Sequence, residues 1–481
     1  MNLSLKDISK IDSAKLWFFR FKKFSDNLYL ITNDAGKFHF FSSTDFQSFV
    51  KWEIESLEDY SELLYKWFIK DKSYESRMTG SVAMKNHFVW LGPTLHMVVT
   101  TLRCNHKCRY CHAAVAPMTA KEFDMDQDTA KKVVDTILHT NSPTLTIEFQ
   151  WGESLVNYPI VQFIKEYASS RAQHLQKQVT FSIVTNLTLM TEEKLLWMLD
   201  NNVEICTSLD GDELSHNKNR TGFEGNSFEV VTYWIKRINE EKAKRWQPKI
   251  WALLTATKET LPRYKEIIDA YVELWLDSIF LRWLNPYWFA ASDLDSLAYK
   301  DEDWINFYKK SLDYVIELNK NGVKIRESTT MIYLMKIFNS IDPAYMDIRS
   351  PSGIAIWWVA YNYDGKVYAS DESRMLWRMG IDDFFMTDLK ETWSETYKAM
   401  MNSDITKIAV QASCLDWLPW YNDHVYKPYI WVDIIHNFKT QWNIYHSYRK
   451  DSKFHFQEAI LDIIFTKLQS KDDAEVLMNW L

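Results

Sequence analysis

The sequence predicts an α/β chain built on a partial (β/α)6 TIM-like barrel, with a small β-rich region before it and an α+β region after it. From about residue 95, short apolar runs rich in β-branched residues alternate with amphipathic helical segments, the order of parallel strands joined by crossover helices. Ahead of them, residues 15 to 50 alternate aromatic and β-branched residues around an Asp34-Ala35-Gly36 turn, the pattern of small antiparallel strands. The length of 481 residues exceeds what one core sustains, since single cores stop growing near roughly 250–300 residues. The expected organisation is a β-rich region over 1–90, the barrel over 91–310 and a C-terminal region over 311–481.

The barrel strands are expected at LHMVVTT (95–101), TLTIEFQ (144–150), VTFSIVT (179–185), VEICTSL (203–209), KIWALLTAT (249–257) and SIFLR (278–282). Segments such as DQDTAKKVVDTILHT and TEEKLLWMLDNN carry apolar residues at three- and four-residue spacing, as helices covering a sheet do. After about residue 300 the chain turns helical, passes an expected hairpin at YNYDGKVYASDE (361–372) and ends in an aromatic-rich segment.

A net charge of -8 provides no basic field to attract a phosphate backbone or an anionic bilayer. No uncharged apolar run is long enough to span a membrane, and the first residues lack the apolar middle of a secretory signal. A cytoplasmic protein is expected, with neither nucleic acid nor membrane as partner. Five cysteines occur, and three of them lie within eight positions, which suits a metal loop in a reducing compartment better than a disulfide framework. The chain holds 11 glycines and 22 tryptophans, although glycine normally makes up about 7% of a protein.

The clustered cysteines, Cys104-Asn105-His106-Lys107-Cys108-Arg109-Tyr110-Cys111, follow the first barrel strand directly, where βα barrels carry their chemistry. An iron–sulfur cubane usually takes four thiolates; three leave one iron open to a small chelating ligand such as S-adenosylmethionine (SAM). A zinc site completed by His112 is the alternative. Gln150-Trp151-Gly152-Glu153 follows the second strand, and Ser208-Leu209-Asp210-Gly211 follows the fourth, with His216 and Arg220 beyond it. Glu153 is placed to accept from an amino group, or is simply an acid at a helix N-terminus. The planar fork of Arg220 suits a carboxylate. Asn186, ending the third strand, and Ser208 are candidates for ribose or sulfonium contacts, or else turn and capping residues. Cys206, inside a strand, reads as a small buried hydrophobe.

These residues resemble the signatures of the radical SAM superfamily: the CxxxCxxC loop, a GGE motif with its first glycine replaced by Trp151, and an SLDGxxxxHxxxR pattern. More closely, FRFKKFSDNLYLITNDAGKFHFF, TLRCNHKCRYCH, IEFQWGE, VTNLTLM, TSLDGDELSHNKNR, SIFLRWLNPYWFA and the segment from SPSGIAIW to YNYDGKVYASDESRM resemble the B-type radical SAM maturase of the His-Xaa-Ser repeat peptide system. The resemblance implies one [4Fe-4S] cluster held by Cys104, Cys108, Cys111 and SAM, with SAM contacts from Gly152, Glu153, Asn186, Ser208 and Arg220. It implies reductive cleavage of SAM to a 5′-deoxyadenosyl radical that modifies a ribosomally synthesised peptide. It also implies a second radical SAM partner protein and an electron donor such as flavodoxin or ferredoxin. No catalytic acid or base is assigned; Asp371 and Glu372 are candidates on family position and otherwise read as two solvated carboxylates. Another peptide maturase, of the sulfatase-maturing or thioether-forming kind, and a non-catalytic peptide-binding homologue are the competing readings.

The chain departs from that family in two ways. Where relatives carry a cysteine-rich SPASM segment for auxiliary clusters, Cys414 stands with Tyr421, His424 and Ile430 at positions where cysteines are expected, which implies a SPASM-like remnant without auxiliary clusters. And Trp151, Trp275, Trp288, Trp357, Trp417, Trp420, Trp431 and Trp442 stand where the family pattern has glycine, as they would if a UGA codon meaning glycine had been read as tryptophan.

Overall fold

The computed structural model describes residues 14–53, 59–71, 74–285, 287, 293–339, 343, 345, 348–445 and 447–481. Trp288, part of SIFLRWLNPYWFA and most of the N-terminal segment read for a signal lie outside the described residues. No helix among the described residues is long and apolar enough to cross a membrane.

All six expected barrel strands form: β4 (Leu95–Val98), β6 (Thr144–Phe149), β7 (Gln178–Thr185), β8 (Val203–Ser208), β10 (Trp251–Thr255) and β11 (Ser278–Arg282). They are neighbours in chain order within a ten-stranded sheet, each pair parallel. Helices Gln127–Leu138, Tyr158–His174, Glu192–Asp200, Ser227–Lys244 and Tyr264–Glu273 make the crossovers. Their starts are written locally: Asp126, Thr191 and Asn226 each accept a backbone N–H three residues on, satisfying a donor the helix itself cannot.

Strand periodicity decides what faces the barrel interior. In β6 to β8, Ile147, Phe149, Ile183, Ile205 and their alternates are buried, while Glu148, Ser182, Val184, Cys206 and Ser208 are half-buried. The buried set packs under the helices in the main core, and Val184 and Ser208 of the half-buried set line the cavity described below. The interior of the partial barrel is therefore a partly open chamber with polar and apolar side chains in its wall. Cys206 belongs to this half-buried face, so the expectation of a fully buried cysteine is corrected by one step of strand register.

The sheet continues past residue 310 at both edges. β12 (Arg326–Glu327) adds to β11, and β13 (Trp358–Tyr361) lies parallel to β4, with Leu95 opposite Trp358. β13 then turns through Asn362–Gly365 into β14 (Lys366–Tyr368), and β15 (Phe385–Asp388) completes the antiparallel edge. The expected hairpin is shorter than its sequence pattern: Ser370 caps a helix at Asp371–Arg378 through a reciprocal capping box, so residues 371 and 372 are helical.

The N-terminal region is an antiparallel meander of β1 (Arg20–Ser25), β2 (Leu28–Thr32) and β3 (Phe38–Ser42), as its alternation predicts. It docks on the C-terminal helices. Lys22 reaches Glu458 and Asp462 at 3.1 and 2.8 Å, Thr32 Oγ1 donates to the Val425 carbonyl at 2.5 Å, and Phe38 packs edge-on against Phe465.

His96, on β4, is fully buried between the carbonyl of Pro93 (3.2 Å) and the hydroxyl of Tyr361 (3.3 Å). Burial disfavours its charged form and pushes its pKa down from the ordinary 6.5 to about 3. Between those values the unfolded chain binds a proton that the native chain does not, so stability falls as pH drops, by about 1.4 kcal/mol per pH unit from this group. Denaturant melts at pH 6.5 and 5.0 should show this loss, and His96→Gln should remove that share of it.

Candidate functional site

The cysteine loop leaves β4 at the C-terminal edge of the barrel and is held from three sides. At its start, Arg103 Nε donates to Asp124 Oδ1 at 2.8 Å and its Nη1 to the Met118 carbonyl, while Thr101 Oγ1 donates to the same Asp124 oxygen at 2.6 Å. In its middle, β5 (Lys107–Cys108) pairs with β9 (Arg220–Thr221), so Cys108 lies opposite Arg220. At its end, the Tyr110 hydroxyl donates to Asp210 Oδ2 at 2.6 Å, and Arg220 Nε donates to the same oxygen at 3.0 Å. Asp210 Oδ1 is 3.3 Å from the Thr255 N–H, which brings in β10.

The Trp151-Gly152-Glu153 turn presses on the loop from the second strand. Gly152 has φ +63, and a Cβ there would meet the Thr101 carbonyl oxygen at 2.3 Å, so only glycine fits. The Glu153 N–H then donates to the Arg103 carbonyl at 2.8 Å. The Glu153 carboxylate accepts from Leu155 N and Thr185 Oγ1 on Oε1 and from Asn186 N on Oε2. It thus caps a helical turn, as the alternative reading has it, and burial still pushes its pKa up. Oε2 keeps one lone pair for a further donor.

Asn186 is spent on the loop. Its Nδ2 donates to Asn105 Oδ1 and to His106 Nδ1, both at 3.0 Å, and its Oδ1 accepts from Thr188 in an Asx-type turn. Ser208, by contrast, lines the cavity, and its hydroxyl makes no hydrogen bond among the described residues. Arg220 Nη1 lies 3.9 Å from Cys108 Sγ, and its Nη2 has no partner among the described residues. The ion pair with Asp210 outweighs burial and holds the Arg220 pKa above its ordinary value.

Cys104, Cys108, Cys111, Gly152, Glu153, Asn186, Ser208 and Arg220 all line one cavity of about 140 Å³, together with the Trp151 indole. The sequence reading did not foresee what supports it. His106 and His216 converge on Ser227 Oγ at 2.9 and 3.1 Å, and burial keeps both imidazoles neutral, His106 with a pKa near 4. Ser227 carried no signal beyond that of an ordinary helix start. Arg374, fully buried, donates Nη2 to the Ala113 carbonyl just after Cys111, and its Nε and Nη1 have no partner among the described residues. Glu372 is half-buried rather than fully solvated: it lines a neighbouring cavity with Arg282, Trp431 and Lys453, and burial, then repulsion from Asp371, raises its pKa well above the ordinary range. Arg282 lines both cavities.

The donor set fits an anionic iron–sulfur cluster better than a zinc ion. Zinc needs its ligands drawn together at about 2.3 Å from one centre. Among the described residues no three or more His, Cys, Asp and Glu side chains are grouped to hold a single metal ion, so His112 does not complete a Cys3His set. Burial pushes all three thiols up, Cys108 to about 12, so without iron they keep their protons. Around them stand Arg220 and Arg374, the latter a buried cation with unused donors that a cluster anion would neutralise.

A three-cysteine loop at the mouth of a partial βα barrel defines an iron–sulfur α/β enzyme. The Radical SAM superfamily profile matches residues 98–271, and the chain is a radical SAM superfamily enzyme, a class that uses a [4Fe-4S] cluster and SAM. It is 25% identical over 301 residues to a cysteine-type anaerobic sulfatase-maturating enzyme of Clostridium perfringens, covering 60% of this chain and 77% of that one. It is 23% identical over 273 residues to the radical SAM cyclopropyl synthase TigE of Paramaledivibacter caminithermalis, covering 53% of each chain. Its fold matches native anSMEcpe with bound AdoMet at a TM-score of 0.62 and 16% identity, over 80% of this chain and all of that one. It matches Streptococcus suis SuiB bound to precursor peptide SuiA at 0.51 and 12% identity, over 91% and 98%.

Asp210 is buried and shared by Tyr110, Arg220 and Thr255. Asp210→Ala leaves Arg220 as a buried unpaired charge and should cost about 3–5 kcal/mol of stability, read as a lower denaturant midpoint.

Proposed function

We propose that this enzyme is a peptide maturase in which Cys104, Cys108 and Cys111 hold one [4Fe-4S] cluster, Glu153 and Arg220 bind the amino and carboxylate ends of SAM, and Ser208 faces its ribose. The observation that carries this reading is that the three thiols share one cavity with Glu153 Oε2, Arg220 Nη2 and Ser208, the groups there with hydrogen-bonding capacity left over. When bound, the cofactors supply a 5′-deoxyadenosyl radical that takes a hydrogen atom from the substrate. The chain's own part is placement: Gly152 lets the Glu153 turn close on the loop, Asn186 fixes Asn105 and His106, and Asp210 aims Arg220.

The substrate class we propose is a ribosomally made peptide of the His-Xaa-Ser system, acted on alongside a second radical SAM protein and fed electrons by a flavodoxin or ferredoxin. Support comes from the segments that resemble that maturase, and from solved structures of similar fold that hold bound peptides. The identity to a sulfatase-maturating enzyme favours, as second reading, maturation of a sulfatase-type protein substrate. We place no auxiliary cluster in the C-terminal region. Tyr421 donates to Asp451 at 3.2 Å, His424 packs edge-on against Phe454, and Ile430 is buried in the core, so each position is committed to packing.

Anaerobic reconstitution should give about four irons per chain, with 5′-deoxyadenosine formed from SAM after reduction. Roughly eight irons would overturn the single-cluster reading, and four irons without SAM cleavage would overturn catalysis in favour of a peptide-binding scaffold. Cys108→Ser should lose both the cluster and the product. Glu153→Gln should keep the iron and weaken SAM binding at least about tenfold, the worth of one charged hydrogen bond. Mass spectrometry of a His-Xaa-Ser peptide against a sulfatase-derived peptide, each incubated with the reduced enzyme, separates the two substrate readings.

A further inference from the structure

The tryptophans hold backbone conformations that tryptophan avoids. Among the described residues, eleven non-glycine positions have positive φ, and six are tryptophan: Trp52, Trp67, Trp151, Trp246, Trp275 and Trp442. Fewer than one residue in twenty of the chain is tryptophan. Left-handed backbone crowds the Cβ against the following carbonyl; Asn and Asp tolerate it, and a bulky residue there is an outlier.

Four of the six occupy the same slot. Trp52, Trp67, Trp246 and Trp275 each stand two residues past a helix end. Each donates its N–H three residues back, at 2.9 to 3.2 Å, while the next residue donates five back, at 2.8 to 3.1 Å. This is the Schellman termination, whose left-handed residue is usually glycine. The chain confirms that preference where it does use glycine: Gly322, after helix Asp301–Lys320, and Gly380, after Asp371–Arg378, make the same pair of bonds in the same slot. Trp442, at φ 54, likewise ends helix Ile434–Gln441.

Trp52 and Trp67 are half-buried against small apolar clusters, but burial does not compensate at the next three. Trp246, Trp275 and Trp442 are 97%, 76% and 68% exposed, so their indoles sit in water. Trp151 instead projects into the cysteine cavity beside His112, with its indole N–H buried and without a partner among the described residues. Contrast Trp304, which lies inside helix Asp301–Lys320 with ordinary backbone and is fully buried against Tyr308 and Phe456. Of the positions singled out by family pattern, Trp151, Trp275 and Trp442 have positive φ; Trp357, Trp417, Trp420 and Trp431 are not among the positive-φ residues. Trp52, Trp67 and Trp246 are found from the backbone alone.

We infer that Trp52, Trp67, Trp151, Trp246, Trp275 and Trp442 are glycine in the protein its own cell makes, each encoded by UGA. UGA is one base from the tryptophan codon UGG and one from the glycine codon GGA, so a single reassigned codon accounts for every slot at once. Glycine removes the Cβ clash at all six, restores the usual helix terminator at four, and leaves two successive glycines, 151 and 152, against the cysteine loop with no ring in the cavity. The inference rests on backbone geometry and stands apart from the maturase reading.

The test is to read the codons and to weigh the peptides of the protein isolated from its native cell. UGA with glycine masses at the six positions, and UGG with a tryptophan mass at Trp304, is the expected result; UGG codons or tryptophan masses at the six overturn it. A second measurement uses recombinant chain carrying the sequence as printed. Trp246→Gly and Trp275→Gly should each raise the unfolding midpoint, whereas Trp304→Gly lowers it. A fall in midpoint for both surface variants overturns the conformational argument.

Discussion

Asp210 is the point on which the geometry of the site hangs. Its carboxylate is fully buried at the exit of β8, a position that water cannot stabilise, and it is paired there with Arg220 at 3.0 Å. From that one group, bonds run to Tyr110 in the cysteine loop, to Arg220 after the following helix and to the backbone of β10. The loop itself has little regular structure, only the two-residue ladder of β5 with β9. Its shape is therefore imposed from across the barrel mouth, and the guanidinium that neutralises Asp210 is also the one beside Cys108. A buried ion pair contributes little net stability against an apolar alternative, but it fixes direction, which a cluster loop needs.

Charge is distributed unevenly between surface and site. The chain is acidic overall, yet Arg220, Arg282 and Arg374 gather around the cysteines and the adjoining cavity. His112, close to Arg282, Arg374 and Lys453, has its pKa lowered to about 3, first by burial and then by these cations, so it adds no charge of its own. Three guanidinium groups near the loop, in a chain that is acidic overall, suit an anionic prosthetic group held inside a protein with no general affinity for polyanions.

Much of this was legible in the sequence because the signals were local. β-Branched runs at period two gave all six barrel strands, since the strand core is built from the same residues that form the pattern. The cysteine spacing, Gly152 with Glu153 and the Asp210 to Arg220 segment all converge on one cavity. What escaped lay in contacts between distant parts of the chain. Nothing near Trp358 says that β13 pairs with β4, because a strand's partner is chosen by the assembled sheet. Ser227 looks like a helix start and also anchors two histidines. Glu372 was read as solvated because carboxylates usually are; the helix it begins buries the neighbouring Ser373, Arg374, Met375 and Leu376 and carries Glu372 into a cavity.

The pairing of β4 with β13 has a consequence for how the molecule is made. β4 is the first strand of the barrel and the one that feeds the cysteine loop, yet one of its two edges is covered by a strand from the last third of the chain. As the ribosome delivers the polypeptide, β4 can join β6 early, but its other row of backbone donors and acceptors stays open until β13 emerges. Contacts of such high sequence separation form late and leave an adhesive edge in the meantime. Assembly of the loop's supporting strand is thus tied to completion of the chain, and a product truncated before β13 would present an unpaired parallel edge beside three free thiols.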